Sequence, residues 1–330
     1  MKKYGIKRWG PVMCAALLLG GCASQIGTAG ETATAYGNDG AAQIAGMEES
    51  DVTPAELAGH TVRQLTTTAR GELLLVTMDA QALPHAYRQQ DGAWQEQDNT
   101  AVVQWMQDNR AYNRNIYCDA TGSWWAVVGD SVVQILPDGR TREIELPPEA
   151  ASEPYVSVEG FADRGDGLVC FAAKQTAEKN GPDPGGVWYL VDSESGTVTQ
   201  TESFVDRLDF EPVFYAGDLV IYDGIATTLK QYDAESGTLI AESPIERPET
   251  MPDAAAMSED GVYHYFLNRT GLYRRPLEGD FTQTVTDDTG LQCLSDGFEA
   301  VGLCPCADGT YLVAGNLNGK IKLYHLSIGA

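Results

Sequence analysis

Two stretches of the chain contain the same turn: "YLVDSESGTVTQTE" at 189–202 and "KQYDAESGTLIAES" at 230–243. In each, Asp-x-Glu-Ser-Gly-Thr stands between apolar or β-branched residues, and Asp192 and Asp233 are 41 positions apart. An Asp side chain accepts hydrogen bonds from the backbone just ahead of it, and Gly readily takes the left-handed conformation that closes a short loop. Both stretches are therefore predicted to be tight β-hairpin turns, and their spacing indicates a structural repeat.

Glycine turns recur along the whole chain in two alternating series. The hairpin series has steps of 47, 57, 41, 42 and 40 residues and comprises Gly92, Gly139, Gly196, Gly237, Gly279 and Gly319. The other series precedes apolar runs such as "ELLLV", has steps of 51, 45, 50, 44 and 48, and comprises Gly71, Gly122, Gly167, Gly217, Gly261 and Gly309. The longest step contains "KQTAEKNGPDPGG" (174–186), whose Pro and Gly content is typical of a surface loop.

A repeat of about 40–50 residues that holds several short strands is typical of a propeller blade. The sequence therefore predicts an all-β fold, a β-propeller of six four-stranded blades, with the apolar runs as central strands. A seventh blade could lie within 95–120, and the ring could close by pairing 60–69 with 320–327. The stretch 99–113 fits either a short helix or a first strand.

The repeated Asp-x-Glu-Ser-Gly turns resemble those of quinoprotein-like and surface-antigen-like propellers, over roughly 60–327. This resemblance implies a propeller. Quinoprotein enzymes carry regularly repeated tryptophans, whereas the six tryptophans here hold no fixed place in the repeat: Trp9, Trp94, Trp105, Trp124, Trp125 and Trp188. No quinone or other cofactor is therefore predicted.

The N-terminus has the pattern of an export signal. Residues 1–21 carry four basic residues and then the apolar run "PVMCAALLLGG", which is shorter than the roughly 20 residues of a membrane-spanning helix. The run ends in "LGGC" (19–22), which resembles the lipobox of bacterial lipoproteins. This resemblance implies cleavage before Cys22, lipid on its thiol, and anchoring at the extracytoplasmic face of the cell membrane. The alternative is an ordinary signal peptide with a chance cysteine.

Three segments follow from these patterns: a signal peptide at 1–21, a lipidated cysteine with a disordered linker at 22–60, and a propeller at 61–330. The linker is rich in Ala, Gly, Thr and Glu, and its few large apolar residues follow no pattern. Such a composition does not bury enough surface to offset the entropy of ordering.

The charge of the chain restricts its partners. The net charge is −25, and removal of the four basic residues of the signal leaves 18 basic against 47 acidic residues, or −29. Nucleic acids and anionic lipid surfaces both attract basic proteins, so no nucleic acid is expected as a partner. The lipid anchor is the predicted contact with the membrane.

No motif of catalysis or metal binding appears in the sequence. The four histidines, His60, His85, His264 and His325, show no ligand spacing. The pair in "CPC" (304–306) lacks the second cysteine pair that a structural zinc site needs, so no metal is predicted. The cysteines are expected to be core thiols, or to include one disulfide such as Cys293–Cys304.

Propellers usually bind ligands at a channel mouth, so aromatic-rich stretches near the starts of the inner strands are candidate ligand contacts. The residues chosen for this face are Arg110, Arg114, Tyr155, Phe214 and Tyr215. The leading hypothesis is a non-enzymatic binding or scaffold module for an envelope protein or a small solute. The alternatives are a glycan-processing lyase or hydrolase on a propeller, and the N-terminal part of a larger solute-binding lipoprotein of a transport system.

Overall fold

The computed structural model describes residues 43–50, 57–68, 70–111, 115–128, 131–145, 156–175, 186–202, 212–223, 228–244, 254–257, 263–268, 271–276, 283–284, 297–306 and 308–329. The predicted signal peptide and Cys22 lie outside these residues. None of the helices formed by the described residues has the length and apolar character needed to cross a membrane.

The described residues form six antiparallel sheets of four strands each. The first two sheets contain β2 (Thr61–Thr67), β3 (Leu73–Met78), β4 (Pro84–Gln90) and β5 (Ala93–Glu96), then β6 (Asn115–Cys118), β7 (Trp124–Val128), β8 (Ser131–Ile135) and β9 (Thr141–Ile144). The next two contain β10 (Val156–Asp163), β11 (Leu168–Gln175), β12 (Gly186–Asp192) and β13 (Val198–Gln200), then β14 (Val213–Tyr215), β15 (Asp218–Asp223), β16 (Thr228–Asp233) and β17 (Leu239–Pro244).

The last two sheets differ in how the chain supplies their strands. One is built from consecutive strands, β18 (Ala254–Met257), β19 (Tyr263–Asn268), β20 (Gly271–Pro276) and β21 (Gln283–Thr284). The other combines both ends of the chain, in the order β1 (Gln43–Glu49), β24 (Lys320–Gly329), β23 (Tyr311–Leu317) and β22 (Glu299–Pro305). This architecture is an all-β propeller, which confirms the predicted fold class.

Each apolar run forms the second strand of its sheet. All six residues of β3 are buried, and its first four alternate between two cores. Leu74 packs in a cluster with Trp124 of β7. Leu75 points to the opposite side and packs with Leu312 of β23. A strand enclosed on both faces loses the usual alternation of apolar and polar residues, which is why these runs are continuously apolar.

The two turns that indicated the repeat have the same geometry. The Asp192 carboxylate accepts hydrogen bonds from the backbone and hydroxyl of Ser195, at 2.6 and 2.7 Å. Asp233 accepts the same pair from Ser236, at 2.7 and 2.6 Å. The following glycines have φ values of +77° and +73°, and each turn joins the third and fourth strands of its sheet. The prediction of two outer hairpins is therefore confirmed.

The hairpin glycine of the last sheet has a different position. Counted from the innermost strand, β22, Gly319 lies between the second and third strands, β23 and β24, and not between the third and fourth. The fourth strand is β1, which pairs antiparallel with β24, as in Met47 opposite Leu326. The predicted pairing of 60–69 with 320–327 is wrong, since β2 is the first strand of its own sheet. β1 lies within 22–60, the segment predicted to be a disordered linker.

The stretch 99–113 contains a helix, α1 (Thr100–Asn109). Val102 and Met106, four positions apart, are its buried residues, and they pack against the core between β3 and β7. Among the described residues, 95–120 holds the end of β5, α1 and β6, so the suggestion of a seventh blade there is wrong. The core of the predicted loop insertion, 176–185, lies outside the described residues.

Candidate functional site: the central cavity

A cavity of about 380 Å³ lies where the first strands of all six sheets come together. Its walls include parts of β2, β6, β10, β14, β18 and β22. Turns that follow the first strands, at Gly71, Arg164 and Gly309, also contribute. The volume is within the range of small-molecule sites, roughly 300–1,000 Å³.

β-Bulges shape three of the six strands that form the wall. The pairing with the second strand shifts by one residue at Arg63 in β2, at Phe161 and its preceding residue in β10, and at Val301 in β22. Arg63, Phe161 and Val301 all line the cavity. A bulge bends the strand and redirects side chains, and bulges are frequent next to functional sites.

Aromatic side chains form much of the apolar wall. Tyr117 and Phe161 are stacked, with ring centroids 4.7 Å apart and planes inclined by 10°. Phe161 also meets the edge of Phe171, at 5.4 Å between centroids, and this contact fixes its orientation. Phe214 and Tyr215 line the cavity from β14. These rings give the cavity a rigid apolar surface that suits a flat or branched apolar group.

One neighbouring strand, β22, approaches β2 closely. A β-carbon at Gly302 of β22 would collide with the Leu65 side chain of β2. The Cys304 thiol donates to the Leu65 carbonyl oxygen at 3.5 Å. Cys304 and Cys306 both line the cavity. The predicted disulfide partner, Cys293, lies outside the described residues.

Asp163 contributes a carboxyl group to the cavity and connects consecutive sheets. Its carboxylate accepts hydrogen bonds from the backbone N–H of Ala120 at 2.6 Å and of Gly165 at 2.7 Å. The carbonyl of Ala120 accepts from the Arg88 guanidinium at 2.7 Å. Burial, assisted by the nearby Asp119 carboxylate, raises the pKa of Asp163 to about 7. This carboxyl group therefore changes charge near neutral pH.

Asp119 is a second carboxylate in this region and is fully buried. It accepts from the backbone and hydroxyl of Thr121, at 2.8 and 2.5 Å, and from the backbone of Ser123 at 3.0 Å. Its other oxygen accepts from the Trp125 indole at 2.8 Å. Burial raises the pKa of Asp119, although these donors oppose the shift. Because Asp119 is fully enclosed by its own turn, it has a structural role.

Two arginines are the other charged residues among the described residues of the lining. Arg63 is exposed and makes no hydrogen bond or ion pair within the described part of the chain. Arg164 donates from Nε to both carboxylate oxygens of Asp166, at 2.9 and 3.1 Å. This contact uses one of the five N–H groups of the guanidinium and leaves its terminal amino groups available.

The structure brings together part of the predicted ligand face. Phe214 and Tyr215 line the cavity, whereas Arg110 caps the C-terminus of α1, is exposed and is not among the lining residues. Arg114 and Tyr155 lie outside the described residues. The sequence analysis did not select Asp163, Arg63 or Arg164. For Arg63 the reason is the bulge in β2, which places a residue in the cavity that strict alternation would direct elsewhere. Asp163 is the last residue of β10, and Arg164 follows it.

Two histidines that are distant in sequence lie side by side. The rings of His60 and His85 are 4.8 Å apart between centroids. His85 contacts the carboxylates of Glu96 at 2.7 Å and Asp79 at 3.5 Å. Burial and the neighbouring His85 lower the pKa of His60. Within the described residues, no group of three or more His, Cys, Asp or Glu side chains is placed to hold a metal ion.

Comparison with solved structures bears on the fold of the chain. A luciferin-regenerating enzyme has a TM-score of 0.51 at 11% identity, covering 86% of this chain and 96% of its own. A gluconolactonase from Xanthomonas campestris has a TM-score of 0.49 at 14% identity, with coverages of 87% and 98%. No model of a protein family and no curated protein matches the chain by sequence. The chain thus has a β-propeller fold, and at this identity the similarity shows the fold alone.

Proposed function

We propose that the protein is a lipid-anchored, six-bladed propeller on the extracytoplasmic face of a bacterial cell membrane, and that its central cavity binds a small molecule. The observation that carries the binding function is the cavity itself. Three bulged strands direct Arg63, Phe161 and Val301 into it, so apolar surface and charge meet in one concave space. This combination is typical of ligand sites.

The ligand function is tested by thermal unfolding of the full-length chain with sugars, amino acids, peptides and organic acids. A ligand at 100 times its Kd should stabilise the protein by about 2.7 kcal/mol, or a few degrees. Phe214→Ala should reduce the shift, because Phe214 lines the cavity. Ile240→Ala is the control, since Ile240 is exposed and is not a lining residue. Equal shifts in both variants would place the ligand elsewhere.

The anchor rests on the lipobox-like "LGGC" at 19–22 and is tested in cells. Cys22→Ala should release the protein from the membrane fraction and remove the lipid mass from the mature N-terminus. Cys14→Ala, a cysteine within the same apolar run, should change neither property. A protein that remains lipid-modified after Cys22→Ala would contradict the assignment.

Asp163 favours a second candidate function, catalysis in the same cavity. A carboxyl group with a pKa of about 7 is suited to general acid–base work near neutral pH. An enzyme should convert members of an oligosaccharide panel, with products detected by mass spectrometry. Asp163→Asn should abolish that turnover, whereas Asp138→Asn, at an exposed residue outside the cavity lining, should retain it. Binding without turnover supports the binding module.

A further inference from the structure

We propose that the central cavity selects small organic anions with an apolar body, and this inference rests on the proposed ligand-binding function. The carboxylate of such a ligand is bound by Arg63 and Arg164, and its apolar part lies against the aromatic wall.

The described part of the cavity lining has a charge opposite to that of the chain. The whole protein has 47 acidic and 22 basic residues. Among the described lining residues, the charged ones are two arginines, Arg63 and Arg164, and one carboxyl residue, Asp163. In a protein so acidic, a lining with more cations than carboxylates is a local reversal of sign. Such a reversal attracts an anion into a molecule that otherwise repels it.

The single carboxyl group does not cancel the arginines. Both oxygens of Asp163 already accept backbone hydrogen bonds, from Ala120 and Gly165. Asp163 is therefore bound to its own backbone neighbours instead of to an arginine. Because its pKa is about 7, it carries at most a partial charge at or below neutral pH.

Both arginines have donors available for a ligand. Arg63 has no hydrogen bond or ion pair within the described residues. Asp166 holds the Nε side of Arg164 and so fixes the direction of its guanidinium. Arginine donors suit carboxylates, because charge-assisted hydrogen bonds are shorter and stronger than neutral ones.

A further polar group in the lining also lacks a partner. The hydroxyl oxygen of Thr67 is buried and has no hydrogen-bond partner within the described residues, and Thr67 lines the cavity. Buried polar groups are nearly always hydrogen-bonded, so this hydroxyl is available to a ligand acceptor or to water.

The apolar half of the ligand is set by the aromatic and aliphatic part of the lining. The stacked pair Tyr117 and Phe161, together with Phe214 and Leu303, offers aromatic and aliphatic surface. A simple inorganic anion would leave this surface uncovered. An aryl or alkyl carboxylate covers it and meets the arginines at the same time.

The experiment uses two matched probe sets, each of three molecules with similar size and different charge. The first is indole-3-acetate, indole-3-acetamide and tryptamine, and the second is octanoate, octanamide and octylamine. Binding to the full-length chain is measured by calorimetry and by thermal shift at pH 7. In at least one set, the anion should bind at least about tenfold more tightly than its neutral amide. This is the difference in affinity expected from the loss of one hydrogen bond to a charged group. The amine should not bind detectably.

Two variants assign the selectivity to the arginines. Arg63→Gln and Arg164→Gln should each weaken anion binding about tenfold, while amide binding stays unchanged and reports an intact cavity. Arg140→Gln is the matched control, since Arg140 is exposed, pairs with Asp138 and does not line the cavity. Anion binding unaffected by either cavity variant would overturn the proposal.

The outcomes separate this inference from the function on which it rests. If the amides or amines bind as well as the anions, the charge selectivity is wrong and the ligand-binding function stands. If none of the six probes binds and the wider panel also gives no shift, both proposals fail. If the wider panel yields only neutral or cationic ligands, only the present inference fails.

Discussion

The side chain of Gln64 in β2 pairs with the backbone of Cys118 in β6 as a peptide group would. Its Nε2 donates to the Cys118 carbonyl at 2.8 Å, and its Oε1 accepts from the Cys118 N–H at 3.1 Å. Both groups are buried, and the two residues belong to neighbouring sheets. This contact extends backbone hydrogen bonding from one sheet to the next at the edge of the cavity.

We expect Gln64→Leu to destabilise the protein, because it leaves the Cys118 N–H and carbonyl buried without partners. Each unsatisfied group costs about 1–3 kcal/mol, so the free energy of unfolding should fall by about 2–5 kcal/mol. Urea unfolding measures the change. Gln95→Leu on exposed β5 is the control and should shift the stability by less than about 0.5 kcal/mol. Similar losses in both variants would contradict the role of the contact.

A comparison of two buried tryptophans measures how much the hydrogen bond to Asp119 contributes to stability. The indole of Trp125 donates to Asp119, whereas that of Trp188 has no hydrogen-bond partner within the described residues. Both Trp→Phe changes remove similar buried volume. Trp125→Phe should cost about 1.5–3 kcal/mol more than Trp188→Phe, because a hydrogen bond to a charged group is lost. Equal unfolding free energies for the two variants would show that the bond contributes nothing.

Replacement of two glycines in the outer hairpins should destabilise the protein to different extents. Gly92 and Gly237 both have positive φ, at +77° and +73°. A β-carbon at 92 meets open space, whereas one at 237 collides with the carbonyl oxygen of Gln200 in the neighbouring sheet. Gly92→Ala should therefore cost about 1–2 kcal/mol, from backbone strain alone. Gly237→Ala should cost about 3 kcal/mol or more, because overpacking adds to strain. Thermal unfolding distinguishes them, and the reverse order would be inconsistent with this packing.

The pH dependence of the free energy of unfolding should reveal the titration of the Asp163 carboxyl group. Its folded pKa, about 7, lies above its ordinary value of 3.8, so the folded protein binds more protons than the unfolded chain between these pH values. The contribution of Asp163 to stability therefore falls as pH rises from about 4 to about 7. The difference in stability between pH 5 and pH 8 should shrink in Asp163→Asn.

Asp138→Asn is the matched control for this pH experiment. Hydrogen bonds from the backbone and the guanidinium of Arg140 lower the pKa of Asp138. The stability contributed by Asp138 is lost as pH falls through that lowered value, below the tested interval. The profile between pH 5 and pH 8 should thus remain that of the wild type. A wild-type slope retained in Asp163→Asn would contradict the assignment.

The strand from the N-terminus should be needed for a stable ring. A chain that starts at residue 51 lacks β1 and exposes the edge of β24, whereas one that starts at residue 36 keeps the pairing. Loss of six paired residues should lower the melting temperature by about 4 °C or more. The exposed edge should also promote self-association, measured by light scattering. Equal melting temperatures and equal masses would show that β1 is dispensable.

Much of the propeller could be predicted from local patterns. The continuous apolar run of β3 and the turns at Asp192 and Asp233 each depend on residues close in sequence. The closing strand could not be predicted, because β1 has the sequence "QIAGMEE" and resembles a linker. Its partner β24 lies at the other end of the chain, and backbone pairing leaves little mark on composition.

The candidate site was predicted less completely than the fold. Phe214 and Tyr215 were found from aromatic density near the start of an inner strand. Arg63 and Asp163 were not, because a bulge in β2 and the path of β10 place them in the cavity. The nearness of His60 and His85 was also hidden, since their sequence separation shows no ligand spacing.

By itself, the sequence determined the repeat, the turns and the buried strands of this protein, because these follow from the chemistry of adjacent residues. Only the tertiary structure decided how the ring closes, which side chains meet in the cavity and which carboxyl group titrates near pH 7. Those properties depend on distances between residues far apart in the chain, and burial and neighbouring charge act through space, not along the sequence.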